Sequence, residues 1–262
     1  MTIFEAAIMG LIQGLTEFLP VSSSGHLEIA SHILGVNSES NLLFTVVVHA
    51  GTVLSTIVVF WKDIMRIISS LLKFQMNDDT QFVLKIFISL IPIMVVGFTL
   101  KDKIESLFGG TLLVVGCLLV VTSLLLWFSN KARPRVKGLT YANAFWIGMA
   151  QAFAVLPGIS RSGSTISTGL LLGVKREEVA RFSFLMVLIP IIGVNFLEIV
   201  GGEFTESLPL GVLITGFLTS FVSGALACRL MIRIVNSGKL YIFAIYCALV
   251  GIATITYSLL AQ

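Results

Sequence analysis

Apolar runs separated by short polar breaks extend along the whole chain, and the runs fall into two length classes. Six of them, at about 42–61, 82–100, 111–129, 179–200, 209–229 and 240–260, are long enough to cross a bilayer as helices, which takes about twenty mostly apolar residues. Charges or turn formers bound each run, among them Lys62-Asp63, Lys101-Asp102-Lys103 and Gly201-Gly202-Glu203. Pro92 and Pro190 lie inside two runs, and Pro209 starts another. Membrane helices tolerate such prolines where neighbours re-satisfy the freed backbone groups.

Two pairs of shorter runs behave differently. Ile3 to Leu15 and Leu27 to Leu34 flank a polar cluster, Gln13 to His26, that reads QGLTEFLPVSSSGH. Tyr141 to Leu156 and Ile166 to Val174 flank Pro157 to Thr165, which reads PGISRSGST. Short helix, break and short helix predicts a re-entrant hairpin, an arrangement allowed only where protein or a water-filled cavity covers the irregular backbone. Two surface loops joining amphipathic helices would be the alternative.

The two stretches are copies. Adding 138 to the residue number maps Gly10 to Gly148, Gln13 to Gln151, Ser22 to Ser160, Ser24 to Ser162, Gly25 to Gly163, Leu34-Gly35 to Leu172-Gly173 and Phe44 to Phe182. Leu19-Pro20 and Leu156-Pro157 miss that register by one residue. The duplication predicts repeat 1 over about 1–129 and repeat 2 over about 139–262, within one integral membrane domain spanning 1–262. Each half holds one hairpin and three spans. Three is odd, so the second half must enter the membrane upside down. The fold predicted is an all-α polytopic membrane protein, an inverted-topology repeat with one re-entrant helical hairpin plus three transmembrane helices in each half.

Composition agrees with this solvent. Hydrophobic residues make up 56% of the 262 residues and charged residues 12%, about half the charge of a soluble domain, and the mean hydropathy is +1.00. Met1 to Leu15 lacks a basic leader region and carries Glu5, so it does not read as a signal peptide. A net charge of +3 gives no argument for nucleic acid. Cys117, Cys228 and Cys247 lie in or at the ends of apolar runs without metal-ligand spacing and read as buried thiols.

Charge also predicts sidedness. With Asn37 to Asn41 placed outside, Lys62, Arg66, Lys73, Lys131, Arg133, Arg135, Lys137, Lys175, Arg176, Arg229, Arg233 and Lys239 all fall on the other face. The outside loops keep Lys101, Lys103, Glu203 and Glu206. The basic side is then cytoplasmic. Both termini are expected outside, with the first hairpin entering from the outer face and the second from the cytoplasm.

If the hairpin tips meet, one midplane site gathers Glu17, the serine run Ser22-Ser23-Ser24, His26, Ser160, Arg161, Ser162 and Thr165. Arg161 reads as the one Arg or Lys away from loops and helix ends. An arginine at membrane depth needs an anion, which is either Glu17 or a bound ligand. Guanidinium is the preferred planar fork for phosphate. Gly158 and Gly163 allow backbone N–H groups to turn inward, and helices starting near Ser22 and Ser160 would aim positive dipole ends at one place. Glu17 and His26 are the acid–base candidates. Ser23, three residues before His26, becomes a nucleophile only if a base takes its proton. His49 is expected to face the same cavity and His32 the outer surface, while Glu28 points away from His26. Glu5 and Glu198 have no assigned role.

QGLTE with LPVSSSGH, and PGISRSGST later, closely resemble the paired motifs of the undecaprenyl-diphosphate phosphatases of the bacitracin-resistance type. The resemblance covers size, span pattern, duplication and both motifs. It implies an integral membrane enzyme of the plasma membrane, and the charge-based sidedness opens its active site to the outer face. Such an enzyme hydrolyses polyprenyl diphosphate to the monophosphate and so recycles the lipid carrier of cell-envelope glycan synthesis. It implies Ser23 and His26 as nucleophile and base candidates, with direct attack by activated water as the variant, and Ser160, Arg161 and Thr165 as diphosphate binders; Ser22, Ser24, Gln13, Ser162 and Gly163 complete the expected substrate-binding set. A divalent cation, Mg or Ca, is implied by the resemblance alone, with Glu17 as its ligand. The family's acidic motif is Glu or Gln, three residues, then Glu. Gln13 cannot ionise, which shifts weight onto Glu17. Membrane lipid is the expected surrounding, and a homodimer is a compatible assembly. The rival reading from another class is a lipid-phosphate flippase or anion transporter, since inverted repeats with broken helices also serve transport.

Overall fold

Caps and prolines in the sequence set where the helices end. The computed structural model describes residues 1–36, 42–99, 112–132, 138–201 and 208–260, and the elements within them are helices. In chain order they are α1 (Ile3–Phe18), α2 (Ser23–Leu34), α3 (Leu42–Val59), α4 (Trp61–Leu71), α5 (Asp78–Thr99), α6 (Leu112–Asn130), α7 (Tyr141–Phe153), α8 (Arg161–Leu171), α9 (Arg176–Met186), α10 (Leu188–Gly201), α11 (Leu210–Ser237) and α12 (Tyr241–Leu260).

Among the described residues, six stretches are long and apolar enough to cross a membrane: α3, α5, α6, the α9–α10 pair, α11 and α12. They coincide with the six expected from the sequence. Two differ at their ends. α5 starts at Asp78, because the Asn77 side chain accepts from Thr80 N at 2.9 Å and two acidic residues sit in the first turn. α11 runs on to Ser237 and stops at Gly238, whose left-handed φ of 72° closes it. The fourth span is divided at Val187. Pro190 has no N–H to give and its ring crowds the carbonyl four residues back, at Met186. α4 is an addition to the expected elements. It is amphipathic and contributes no buried residue.

Many large apolar side chains face outward on these helices, among them Phe98, Phe196, Leu210 and Leu249. Exposed apolar surface on that scale marks contact with lipid rather than water. Cys228 and Cys247 are buried, but Cys117 is exposed on α6, so the expectation of three buried thiols holds for two. The expected loop charges Lys101, Lys103, Arg133, Arg135, Lys137, Glu203 and Glu206, with Asn37 to Asn41, lie outside the described residues.

The two short helix pairs, α1–α2 and α7–α8, repeat local detail at the same offset. Thr2 caps α1 through a capping box with Glu5, and Thr140 caps α7 through a capping box with Asn143. Glu5 thereby gains the role it lacked. Each pair packs on a long helix distant in sequence: α1 on α11, and α7 on α5. The crossings depend on glycine. A Cβ on Gly10 would collide with Thr219 Oγ1 and lie 2.6 Å from Gly216 O, and one on Gly148 would collide with the backbone of Ser89, 2.7 Å from its Cα. Small residues let membrane helices approach this closely.

Candidate active site

Gln13 and Glu17 are four residues apart and therefore share a face at the end of α1. Gln13 Nε2 donates to Glu17 Oε2 at 3.0 Å. Helix α1 stops at Leu19-Pro20, and the chain re-enters a helix at Ser22, whose φ of 70° is uncommon for a residue with a side chain. The Ser22 hydroxyl accepts from Gly25 N at 3.3 Å and caps α2. Ser23 is the first residue of α2, and its hydroxyl donates to Glu17 Oε2 at 2.8 Å.

The second break repeats the turn and supplies the opposite charge. The Ser160 hydroxyl accepts from Gly163 N at 3.1 Å and caps α8, whose first residue is Arg161. Arg161 Nη2 donates to Glu17 Oε1 in an ion pair, with the Glu17 side chain 6% exposed and that of Arg161 27%. Ser162 Oγ donates to Leu19 O at 3.1 Å, so the two breaks touch directly. Thr122 of α6 anchors the second one. Its hydroxyl donates to Gly158 O and accepts from Ser160 N, both at 3.0 Å. The N-termini of α2 and α8 therefore converge on one carboxylate, a place where backbone N–H groups and helix dipoles favour negative charge.

A cavity opens beside this carboxylate. Glu17, Arg161, Ser162, Thr52, Thr56 and Ser183 form its polar lining, and Phe18, Phe184, Val187 and Ile191 its apolar lining. Thr52, Thr56 and Ser183 are additions to the site residues expected from the sequence. His49, Thr52 and Thr56 lie at helical spacing on α3, and that spacing is the signal that could have found the two threonines. Ser183 carries no such signal. The break residue Val187 and Ile191, one helical turn further on, both reach the cavity.

The other expected site residues separate into caps and supports. Ser22 and Ser160 are N-caps, 2% and 1% exposed. Ser24 Oγ lies 3.4 Å from Ser22 Oγ, and Ser162 Oγ 3.3 Å from Ser160 Oγ. The hydroxyl of Thr165 donates to Arg161 O at 2.9 Å and lies 2.5 Å from Ser183 Oγ. It is buried and tied into the helix that carries Arg161. His26 has Nδ1 2.8 Å from Ser22 O and Nε2 2.8 Å from Tyr246 OH. The acceptor of the Ser23 hydroxyl is thus Glu17, and His26 stands one turn further along α2. His32 Nε2 lies 3.3 Å from Tyr257 OH, and His49 Nδ1 2.9 Å from Thr45 O.

Arg161 is not the lone cation within the spans. Lys85 on α5 lies over the Tyr141 ring, and Arg181 on α9 pairs with Asp63 at 3.0 Å while covering the Phe82 ring. Both are held by partners away from the cavity lining. Arg161 is the one that meets it.

Among the described residues, no group of three or more His, Cys, Asp or Glu side chains could hold a metal ion. Glu17 nevertheless has beside it Gln13 Oε1, a buried oxygen without a hydrogen-bond partner. One carboxylate and one amide oxygen make no complete cage. They do suit a hard cation that takes its remaining ligands from phosphate oxygens and water.

These features define a multi-pass membrane protein with a serine, a carboxylate and an arginine gathered where two broken helix pairs meet. The model of the family described as bacitracin resistance protein BacA matches residues 6–253. An undecaprenyl-diphosphatase of Bacteroides fragilis is 55% identical over 260 residues, covering 97% of this chain and 98% of that protein. One from Parabacteroides distasonis is 54% identical over 265 residues, covering 99% and 100%. A relative of the same name from Methanosphaera stadtmanae is 37% identical over 274 residues, with 98% of both chains covered. The chain belongs to the bacitracin resistance protein BacA family.

Proposed function

We propose that this protein is an integral membrane phosphatase that hydrolyses a polyprenyl diphosphate of the undecaprenyl type to its monophosphate and inorganic phosphate, recycling the carrier lipid of cell-envelope glycan synthesis. The observation that carries the reading is the three-way meeting at Glu17. Ser23 and Gln13 share one oxygen of the carboxylate and Arg161 takes the other. A flippase or anion carrier needs the arginine but has no use for a serine hydroxyl donating to a carboxylate.

In this reading the diphosphate enters the polar side of the cavity while the first isoprene units rest on Phe18, Phe184, Val187 and Ile191. Arg161 and the backbone N–H groups opening α2 and α8 hold the phosphate oxygens, and this electrostatic contribution dominates the rate. Ser23 Oγ attacks the terminal phosphorus and its proton passes to Glu17. The bond from that phosphorus to the bridging oxygen breaks, and polyprenyl monophosphate leaves. Water, losing a proton to His26 as Nε2 exchanges its Tyr246 contact for the water, then attacks the phosphoserine. The bond from phosphorus to Ser23 Oγ breaks, Oγ takes back the proton held by Glu17, and inorganic phosphate leaves. A divalent cation held by Glu17 and Gln13 Oε1 would neutralise phosphate charge. Ser160, Ser22, Ser24 and Gly163 shape the two helix starts, and Thr165 fixes the helix behind Arg161.

The fold reading that accompanies this is an inverted repeat. The matched caps at Thr2 and Thr140 support it, as do the matched glycine crossings at Gly10 and Gly148 and the convergence of two breaks on one carboxylate. α1–α2 and α7–α8 are then re-entrant hairpins, with the site open to the outer face and both termini outside. The test is phosphate release from polyprenyl diphosphate offered to one face of liposomes holding oriented protein. Release is expected with substrate on the face remote from Lys62, Lys175 and Arg233. Absence of release from either face would overturn the enzyme reading, and release only from the basic face would overturn the sidedness.

A further inference from the structure

Helix α4 joins two consecutive spans, α3 and α5, so it lies at one face of the bilayer. The 18 residues of α3 make about 27 Å of helix, nearly the full hydrocarbon thickness, and α4 begins after a single further residue, Phe60. Ion pairs keep α4 down against the spans instead of projecting into water. Arg66 lies 3.4 Å from Asp79 at the start of α5, and Asp63 lies 3.0 Å from Arg181 of α9.

Helical spacing sorts the residues of α4 into rows. Ile64 and Ile67 turn inward and pack on the core. Trp61, Met65, Ile68 and Leu72 form a second row, and all four are exposed. Lys62, Arg66 and Lys73 stand in the row beside it, also exposed. Just beyond the helix, Phe74 is 94% exposed and holds a φ of 50°, a left-handed conformation that a bulky residue rarely adopts. Met76 follows, exposed as well. An apolar row of this length facing water would be costly. It instead continues a surface already in lipid, since Leu54 and Val58 at the end of α3 also face outward.

We propose that α4 and the turn through Met76 form a binding surface for anionic phospholipid of the surrounding bilayer. Trp61, Met65, Ile68, Leu72 and Phe74 enter the acyl boundary, and Lys62 and Lys73 reach the headgroup phosphates. A helix with one apolar and one basic face lies in the interface in this way, and tryptophan is at home at that depth. Asp63 and Asp79 are matched by Arg66 and Arg181. Lys62 and Lys73 make no ion pair among the described residues, so they carry the charge presented to the lipid. On the sidedness proposed above, the leaflet concerned is the cytoplasmic one. Nothing in this surface depends on the chemistry at Glu17.

A single tryptophan at the far end of α4 reads both the depth and the charge preference. Phe74→Trp is made in the full chain with the exposed Trp61, Trp127 and Trp146 each changed to Phe. The protein is reconstituted in vesicles holding chain-brominated phosphatidylcholine or, at the same mole fraction, chain-brominated phosphatidylglycerol. Both leaflets have the same composition, so protein orientation does not matter. Both lipids are expected to quench the probe, phosphatidylglycerol about twofold more strongly because the lysines enrich it locally. Lys62→Gln with Lys73→Gln is expected to remove that excess and to leave quenching by phosphatidylcholine unchanged. Absence of quenching by either lipid would place α4 in water or against a protein and overturns the interfacial position. Equal quenching by the two lipids with both lysines present, or an excess that survives their loss, overturns the anionic preference.

Discussion

Arg161 and Glu17 form an ion pair between residues 144 positions apart, and the same carboxylate accepts the Ser23 hydroxyl through its other oxygen. The arginine that is to hold phosphate is therefore, without phosphate, holding the base. Glu17→Gln separates the two jobs. Turnover is expected to fall about 10²- to 10⁴-fold, as for loss of a general base. KM is expected to fall as well, because Arg161 no longer divides its charge between the carboxylate and the substrate. Steady-state kinetics on purified protein check this. A raised KM with unchanged kcat would mean that Glu17 binds and does not react.

Arg161→Lys keeps the charge and removes the planar fork. The expected loss in kcat/KM is about 10- to 100-fold, the range for charge-assisted hydrogen bonds. Measured kcat/KM within a factor of two of wild type would show that a point charge is enough and that two-point phosphate recognition plays no part.

Gln13 stands 3.0 Å from Glu17 through its amide nitrogen, so Gln13→Glu places a second carboxylate against the first. Two carboxylates at that distance need a proton or a counter-cation between them. The variant is expected to need divalent cation more strictly than wild type, with steeper loss of activity on titration with a chelator. Identical chelator curves for the two proteins would count against a cation at this position.

Gly10→Val tests the crossing of α1 and α11. The first added carbon collides with Thr219 Oγ1 and meets backbone at 2.6 Å, and overpacking of that kind costs about 1–3 kcal/mol. A lower melting temperature in detergent is expected. Gly97→Ala, where no atom lies within 4 Å of the added carbon, is expected to melt with wild type. Equal melting of both variants would mean that the close approach of α1 to α11 does not constrain the fold.

Much of this arrangement is legible in the sequence, for identifiable reasons. Spans are read from length and apolarity, and all six are present. The serine caps at Ser22 and Ser160 are readable because Ser before a helix start has a local role that needs no tertiary context. The approach of the two breaks is expected from the matching residues 138 positions apart. The partners within the site are harder. Three-residue spacing favours Ser23 with His26. The structure gives the Ser23 hydroxyl to Glu17, six residues back across a proline break, and no spacing rule covers such a turn. Tyr246 and Ser183 come from helices whose rotation about their own axes is set by packing, and single polar residues in apolar runs do not announce which way they face. Arg181 and Lys85 escape a sequence reading because both lie within apolar runs. Their partners Asp63, Asp79 and Tyr141 are contributed by other helices.

A nucleophilic Ser23 must carry phosphate once in each turnover, and rapid quenching of the enzyme during hydrolysis of terminally labelled polyprenyl diphosphate reads this without intermediaries. Labelled phosphoserine is expected at position 23, and it should be absent in Ser23→Ala together with nearly all phosphate release. Ordinary turnover by Ser23→Ala, with no label retained on wild-type protein, would contradict the serine mechanism and assign the attack to water.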